Sequence, residues 1–252
     1  MTQKRDAILC EMGLGPIWRL RNKTETVRAD EPFVTAQDRP VEAPIAVHPE
    51  PVEGQGDRAS RIARMDWEEL RQSVAACRTC GLCQARKQAV LGVGDVNADW
   101  LFVGEGPGAE EDERGEPFVG QAGKLLDAML AAIDIKRGKD VYIANAVKCR
   151  PPNNRTPEPE ETAACWPYLQ RQIALIQPKL IVALGRPAAQ TLLGVEVKIG
   201  ASRGRRFEHQ GIPLIVTYHP AYLLRNLSDK AKAWEDLVFA RKSMRELKLK
   251  TV

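Results

Sequence analysis

Short apolar runs alternate with longer amphipathic stretches over most of the chain. The runs have the length of strands, and the last three are rich in β-branched residues: WLFVG at 100–104, VYIANAV at 141–147, LIVALG at 180–185 and PLIVTYHP at 213–220. The stretches between and after them carry apolar residues at helical spacing: 123–133, 159–176, 186–194 and 230–247. This alternation predicts an α/β fold in which helices cover both faces of a parallel sheet.

Ligands of such sheets bind outside the carboxyl ends of the strands. The unusual residues of this sequence stand at those positions. GEGPG completes and follows the first run, Asn145 lies within the second, and His219 follows the last. We therefore expect the functional site at this edge of the sheet.

The globular pattern begins near Asp66, an N-cap residue for a helix that carries Trp67, Leu70 and Val74. Before it, residues 6–21 have the pattern of a short amphipathic helix, and residues 22–56 have no sustained apolar period. We expect a helix within 1–22, a flexible proline-rich linker over 23–60 and a globular domain over 61–252. An unstructured extension without a helix is the alternative.

Composition narrows the possible partners and cellular location of the protein. The chain has 252 residues, 44% of them hydrophobic, and its net charge of +4 permits a nucleic-acid partner without requiring one. Its sequence has no secretory signal and no apolar run long enough to cross a membrane, so we expect a cytoplasmic protein. Structural disulfides are rare there. The six cysteines are then core residues, redox pairs or metal ligands.

The spacing of the cysteines favours a metal site. Cys77 and Cys80 form a C-x2-C pair, and Cys149 and Cys165 bracket a loop rich in proline and asparagine. Zinc and a [4Fe–4S] cluster both accept four thiolates. The wide second pair is unlike that of a zinc ribbon, and Cys83 extends the first pair toward a ferredoxin-like run that lacks its fourth cysteine. Buried free thiols are the structural alternative.

A loop rich in glycine and acid, GEGPGAEEDERGEPFVGQAGKLLD at 104–127, follows the first predicted strand. It formally satisfies a dinucleotide fingerprint, but Glu110, Glu111 and Asp112 would repel a pyrophosphate there. We therefore exclude a nucleotide cofactor. Carboxylates at a strand end suit a site where positive charge develops, and a solvated acidic turn is the alternative.

The segment HPAYLLRN at 219–226 combines a histidine at a strand end with apolar residues beside a cation. Leu223 and Leu224 could act as wedges in a stack of bases, and Arg225 follows them. Arg203 and Arg205 in the preceding SRGRR run could contact phosphates. Ordinary helix packing and a solvated basic loop are the competing interpretations.

Together these stretches resemble the family 4 uracil-DNA glycosylases, the iron–sulfur branch of their superfamily. The matching stretches are CRTC at 77–80, VGEGPGAEED at 103–112, EPFVGQAGKLLD at 116–127, NAVKCRPPNNRTP at 145–157, Cys165 and HPAYLLR at 219–225. The resemblance implies a three-layer α/β/α sandwich around a four-stranded parallel sheet. It also implies a [4Fe–4S] cluster on Cys77, Cys80, Cys149 and Cys165, which leaves Cys10 and Cys83 outside the ligand set.

The resemblance implies a DNA-repair hydrolase of base excision repair, which flips uracil out of DNA and cleaves its N-glycosidic bond. Phe118 would stack on uracil, Asn145 would pair with its N3 and O4 edge, and backbone N–H groups around Glu105 and Gly106 would help to hold it. His219 would hydrogen-bond O2 as negative charge grows on the base. For positioning the water, we favour Glu111 over Glu105.

The expected partner is uracil-containing DNA, single- or double-stranded, with the protein acting as a monomer without membrane contact. The N-terminal extension leaves room for a protein partner. The competing hypothesis is a non-enzymatic iron–sulfur module that binds DNA or senses redox state. An inactive scaffold recruited through the N-terminal helix is a third.

Overall fold

The computed structural model describes residues 55–250. The helices, in chain order, are α1 (Gln55–Ile62), α2 (Trp67–Ala76), α3 (Ala109–Arg114), α4 (Gln121–Ala132), α5 (Pro159–Ile176), α6 (Arg186–Leu193), α7 (Ile199–Ser202), α8 (Pro220–Arg225) and α9 (Lys230–Lys250). The strands are β1 (Val93–Gly94), β2 (Trp100–Gly104), β3 (Val141–Asn145), β4 (Leu180–Leu184), β5 (Arg206–His209) and β6 (Ile212–Thr217).

The strands form one sheet of six, in the order β1-β3-β2-β4-β6-β5. The four central strands run parallel, which confirms the predicted parallel core. The short edge strands β1 and β5 pair antiparallel and were not predicted. The β5 strand begins at Arg206, the last residue of the run interpreted as a basic loop, because Ile212–Thr217 offers it an open edge.

Helices cover both faces of this sheet, as the continuous apolar runs predicted. Along β2, Trp100 and Phe102 face one layer while Leu101 and Val103 face the other. The first layer contains apolar side chains of α4 and α9, and the second contains those of α5 and α6. The architecture is therefore the expected three-layer α/β/α sandwich, extended by two edge strands.

Local signals located several helices correctly. The Asp66 carboxylate accepts hydrogen bonds from the backbone N–H groups of Glu68 and Glu69, both at 2.9 Å. The Glu69 carboxylate in turn accepts a hydrogen bond from the Asp66 N–H at 2.9 Å. The α5 helix coincides with the predicted stretch 159–176.

The predicted linker over 23–60 is wrong at its end, because α1 begins at Gln55. Ile62 is buried against Leu70 and Val74 of α2, and this burial orders a stretch that looked polar. Arg58 donates to the carbonyl of Ala164 at 3.0 Å. The predicted helix within 1–22 lies outside the described residues. Within 55–250, no helix is long and apolar enough to span a membrane.

Candidate active site and cysteine cluster

A cleft of about 760 Å³ opens at the carboxyl ends of the four parallel strands. Residues that end or follow each of these strands line it: Glu105 and Gly106 after β2, Asn145 at the end of β3, Gly185 and Arg186 after β4, and Tyr218 and His219 after β6. Parallel strands end at one edge, so residues far apart in sequence meet here. The structure thus brings the predicted Glu105, Gly106, Glu111, Phe118, Asn145, His219 and Arg225 into one cleft.

Phe118 reaches the cleft from a strained backbone. Its φ of 56° lies in the left-handed region, which costs on the order of 1–3 kcal/mol for a residue with a side chain. The ring is 6% exposed, and its centroid lies 5.4 Å from that of His219. Gly123 permits the turn, since a β-carbon at that position would lie 1.8 Å from the Phe118 carbonyl oxygen. The two rings form one wall of the cleft.

Gly104 makes room for both the aromatic ring and the amide of Asn145. Gly104 and Asn145 pair in register on the neighbouring parallel strands β2 and β3. A β-carbon at position 104 would lie 2.5 Å from Asn145 Oδ1 and 2.6 Å from Phe118 Cζ. A residue with a β-carbon therefore does not fit at this strand end, and glycine is required.

The amide of Asn145 is held ready for a ligand. The residue is 2% exposed, and its Oδ1 has no hydrogen-bond partner among the described residues. An unsatisfied buried acceptor costs about 1–3 kcal/mol, so such a group calls for an explanation. A ligand in the cleft that carries an N–H donor would satisfy it.

His219 is a neutral imidazole with a defined tautomer. Burial and the nearby charge of Arg225 lower its pKa from 6.5 to about 4, although Glu111 opposes this shift. Its Nδ1 accepts a hydrogen bond from the Ala221 N–H at 3.1 Å and caps α8. Nδ1 is therefore unprotonated, and the remaining proton sits on Nε2. The residue can donate one hydrogen bond to a ligand without being charged.

The acidic loop divides into residues with different environments. Glu111 lines the cleft, and its carboxylate accepts from three backbone N–H groups, those of Gly108 at 3.1 Å, Val119 at 2.9 Å and Gly120 at 3.1 Å. Asp112 is buried and accepts from the Lys87 N–H instead. Glu110 is exposed. Of these three acids, only Glu111 lines the cleft, so the solvated-turn interpretation does not describe the loop.

Glu105 lines the cleft from the end of β2. Burial raises the pKa of its carboxyl group, while a hydrogen bond with Thr156 and the charge of Arg186 oppose the rise. Thr156 and Arg186 also line the cleft and were not predicted. Thr156 lies within the matched stretch 145–157, and Arg186 begins α6 just after β4.

Two predicted DNA contacts are corrected by the structure. Leu223 is 1% exposed and packs into the core under α4, so it cannot enter a base stack. Arg203 is 18% exposed and pairs with Glu235 and Asp236 of α9, so its charge is already engaged. Leu224 is 41% exposed and Arg205 is exposed, which leaves both accessible.

Two tyrosines, one on either side of His219 in the sequence, also contribute to the cleft. Tyr218 and Tyr222 both line the cleft, and their rings stack with centroids 5.3 Å apart. The Tyr222 hydroxyl donates to Asp229 at 2.7 Å, which fixes its outer edge. Such a stacked pair offers a flat apolar surface at the mouth of the cleft.

The five cysteines of the described part line one small cavity away from the cleft. They are Cys77, Cys80, Cys83, Cys149 and Cys165, and none of them forms a disulfide. The structure thus brings the two predicted pairs together and adds Cys83. No group of three or more His, Cys, Asp or Glu side chains between 55 and 250 forms a site for a single metal ion.

Hydrogen-bond donors surround these sulfurs. Arg86 donates to Cys149 Sγ at 2.7 Å, and the Lys148 backbone N–H donates to Cys165 Sγ at 3.2 Å. Burial raises the pKa of the Cys165 thiol to about 12, and Lys148 opposes this rise. Bound to a metal, the thiol would be deprotonated, and the donors would then face thiolate charge.

Lys148 connects the cysteine cavity to the cleft. Its ammonium group is fully buried, and it donates to the backbone carbonyl of Asn145 at 2.8 Å and to Gln172 Oε1. The next residue, Cys149, lies in the cavity. The cysteine loop and the Asn145 backbone therefore belong to one buried polar network.

The pH dependence of stability tests the environment of His219. Because its pKa falls from 6.5 in the unfolded chain to about 4 in the folded one, the unfolded state binds more protons between these values. Stability is complete above pH 6.5 and falls as the pH drops toward 4, by up to about 3 kcal/mol at 1.36 kcal/mol per pKa unit.

His219→Asn keeps a capping acceptor but does not titrate, so its free energy of unfolding should fall less over this range. Urea unfolding of both proteins at a series of pH values measures the difference. Parallel curves for the two proteins would contradict the assignment.

Comparisons with known proteins agree with this geometry. Residues 91–238 match the family model of the uracil DNA glycosylase superfamily. A type-4 uracil-DNA glycosylase of Pyrobaculum aerophilum is 42% identical over 181 residues, which are 69% of this chain and 92% of the relative. Another type-4 uracil-DNA glycosylase, from Thermotoga maritima, is 47% identical over 66% of this chain and 86% of the relative. A third type-4 uracil-DNA glycosylase, from Archaeoglobus fulgidus, is 46% identical over 62% of this chain and 82% of the relative. The chain therefore belongs to the uracil DNA glycosylase superfamily.

Proposed function

We propose that this protein is a type-4 uracil-DNA glycosylase, which hydrolyses the N-glycosidic bond of uracil in DNA and leaves an abasic site. One observation carries the proposal: the buried Oδ1 of Asn145 lacks a partner and lies beside the Phe118 ring, close to Gly104. An aromatic face beside an unsatisfied amide suits a planar base that offers an N–H group. Similarity to named uracil-DNA glycosylases supports the same assignment.

The amide of Asn145 distinguishes uracil from cytosine. Its Oδ1 accepts from the uracil N3–H, and its Nδ2 donates to O4. Cytosine has no hydrogen on N3 and carries an amino group in place of O4, so both contacts would fail with the amide in this orientation. Each buried polar group would then be left unpaired, which is the strongest form of discrimination.

Cleavage breaks the bond between C1′ of the sugar and N1 of uracil. The bonding electrons leave with the base, and oxocarbenium character develops on the sugar. The Nε2–H of His219 donates to O2, where this negative charge accumulates, as a neutral electrophile. Water adds to C1′ and loses a proton to the solvent, and the uracil anion takes up a proton at N1, so that free uracil and an abasic sugar result.

The carboxylates stabilise the positive side of this separation. Glu111 reaches the cleft with a carboxylate already oriented by three backbone N–H groups, and it positions the attacking water. Glu105 lies at the end of β2, beside the backbone N–H groups that hold the base. We assign catalysis to Glu111 first and binding to Glu105.

The uracil enters this cleft by nucleotide flipping, because the cleft residues cannot reach a base that is stacked within a duplex. Leu224 replaces Leu223 as the exposed apolar residue near the opened stack, and Arg225 lines the cleft beside it. Arg205 is exposed and offers a phosphate contact. Removing either arginine should weaken binding and reduce its dependence on salt.

Four thiols that line one cavity supply the donor set of a [4Fe–4S] cluster, and we assign the cluster to Cys77, Cys80, Cys149 and Cys165. Zinc accepts four thiolates as well, so metal analysis separates the two centres. When bound, the cluster would cross-link the α2–β1 segment to the loop after β3 and to α5. Its contribution is structural, since the cleft holds the reacting groups.

The decisive assay measures release of free uracil from a uracil-containing oligonucleotide, followed by alkali cleavage of the abasic strand. We expect release from this substrate and none from oligonucleotides with cytosine or thymine at the same position. Asn145→Ala should lower single-turnover cleavage by about 10²-fold or more, because one recognition group held in the transition state is lost.

Asn97→Ala serves as the matched control, since Asn97 is exposed in a turn outside the cleft. It should cleave at the wild-type rate. Wild-type protein that releases no uracil would overturn the proposed activity and leave a DNA-binding module as the alternative.

Glu111→Gln tests the catalytic carboxylate. The variant retains an oxygen for Val119 and Gly120 but loses the negative charge, so single-turnover cleavage should fall by about 10²-fold. Binding of uracil-containing DNA, measured by fluorescence anisotropy, should change little. Glu110→Gln removes a neighbouring exposed acid as the control. Unchanged cleavage by Glu111→Gln would exclude the role.

Metal analysis tests the cluster and its ligands. We expect about four irons and four sulfides per chain together with visible iron–sulfur absorbance. Cys149→Ser and Cys165→Ser should each lose both signals, whereas Cys83→Ser should keep them. One zinc per chain without visible absorbance would reject the iron–sulfur assignment.

A further inference from the structure

The strained conformation of Phe118 needs a support that the cleft itself does not supply. Its φ of 56° is unfavourable for a bulky residue, and the backbone angles set the direction in which its side chain leaves the main chain. The surrounding structure must therefore determine these angles.

Arg137 contacts this backbone from outside the cleft. One of its terminal nitrogens donates to the Pro117 carbonyl at 2.8 Å, and the other donates to the Phe118 carbonyl at 2.8 Å. These two carbonyls belong to the peptide groups on either side of the Phe118 Cα. Because the guanidinium is planar and rigid, it fixes both peptide planes together, and with them the angles between the planes.

The opposite side of the same segment is held by Glu111. Its Oε1 accepts from the N–H groups of Val119 and Gly120. The peptide between Phe118 and Val119 is thus bound at its oxygen by Arg137 and at its nitrogen by Glu111. A cation on the carbonyls and an anion on the N–H groups form a clamp around the turn.

Arg137 is itself held in place. It lies in a tight turn closed by a bridge between Lys136 and Lys139, and Gly138 supplies the positive φ of 77° that the turn requires. Its Nε donates to Asp127 of α4 at 2.9 Å. The side chain is 21% exposed and does not line the cleft.

We propose that Arg137 is a positioning residue that holds Phe118 in its base-stacking orientation. The inference rests on the proposed glycosylase function, because stacking requires a base in the cleft. Without the guanidinium, the Phe118 backbone relaxes toward ordinary angles, and the ring leaves the wall that it forms with His219. Arg137 thus affects the reaction through Phe118.

The test is a double-mutant cycle between Arg137→Ala and Phe118→Leu, measured as kcat/KM for uracil release. Arg137→Ala should lower kcat/KM by about tenfold to a hundredfold. In the Phe118→Leu background, the same change should have little further effect, because both substitutions remove one stacking contact. Additive losses would overturn the inference.

Two ligand measurements separate positioning from general damage. The inhibition constant of free uracil should rise with Arg137→Ala, whereas affinity for DNA with an abasic site should stay within threefold, about the scatter expected of a surface change. Added guanidinium ion should restore part of the activity of Arg137→Ala. Equal weakening of both ligands would indicate a structural role only and overturn the proposal.

Arg137→Lys covers the case in which the alanine variant does not fold. It retains the charge beside Asp127 but cannot donate to two carbonyls in the planar geometry, so it should still lose activity. Arg241→Ala is the matched control, since Arg241 pairs with Asp134 at 2.9 Å and has no contact with Phe118 among its described bonds. Wild-type kinetics for Arg137→Lys would overturn the inference, while an inactive wild type would reject the proposed function instead.

Discussion

The pairing of Gly104 with Asn145 across two parallel strands is the contact on which the cleft depends. Both residues stand at the carboxyl ends of their strands, so the amide oxygen and the Phe118 ring occupy the space that a side chain at position 104 would fill. The register of the sheet fixes the position of Asn145 relative to Gly104 more rigidly than a loop could. The acids, the histidine and the cysteine loop are all arranged around this point.

Keeping the site ready has costs that neighbouring contacts offset. Phe118 is held in a left-handed conformation, Asn145 keeps an unpartnered oxygen, and the half-buried His219 is uncharged. None of these features stabilises the fold. Hydrogen bonds from Arg137 and to Glu111 hold the turn at Phe118, and the Lys148 ammonium group holds the Asn145 backbone, as expected where preorganised polar groups act on a developing charge.

Physical reasoning from the sequence identified most of the central architecture. Apolar runs located the four parallel strands because strands buried on both faces must be apolar throughout, and Asp66 marked the start of a helix through its capping pattern. The edge strands escaped detection because β5 is amphipathic and β1 has only two residues. Helix α1 was missed because its sequence is mostly polar, and the burial of Ile62 depends on packing against Leu70 and Val74 of α2.

The sequence by itself determined the chemical groups, their order along the chain and the edge of the sheet where they meet. Only the tertiary structure decided the roles of similar neighbouring residues. Glu111 faces the cleft, whereas Asp112 accepts a hydrogen bond from the Lys87 backbone N–H. Leu224 is exposed, whereas Leu223 is buried in the core. Neighbouring residues on a short helix point in different directions, and helical spacing cannot choose between them until the packing partners are known. The role of Arg137 has the same origin, because a lone arginine in a turn gains its meaning only from the carbonyls that folding brings to it.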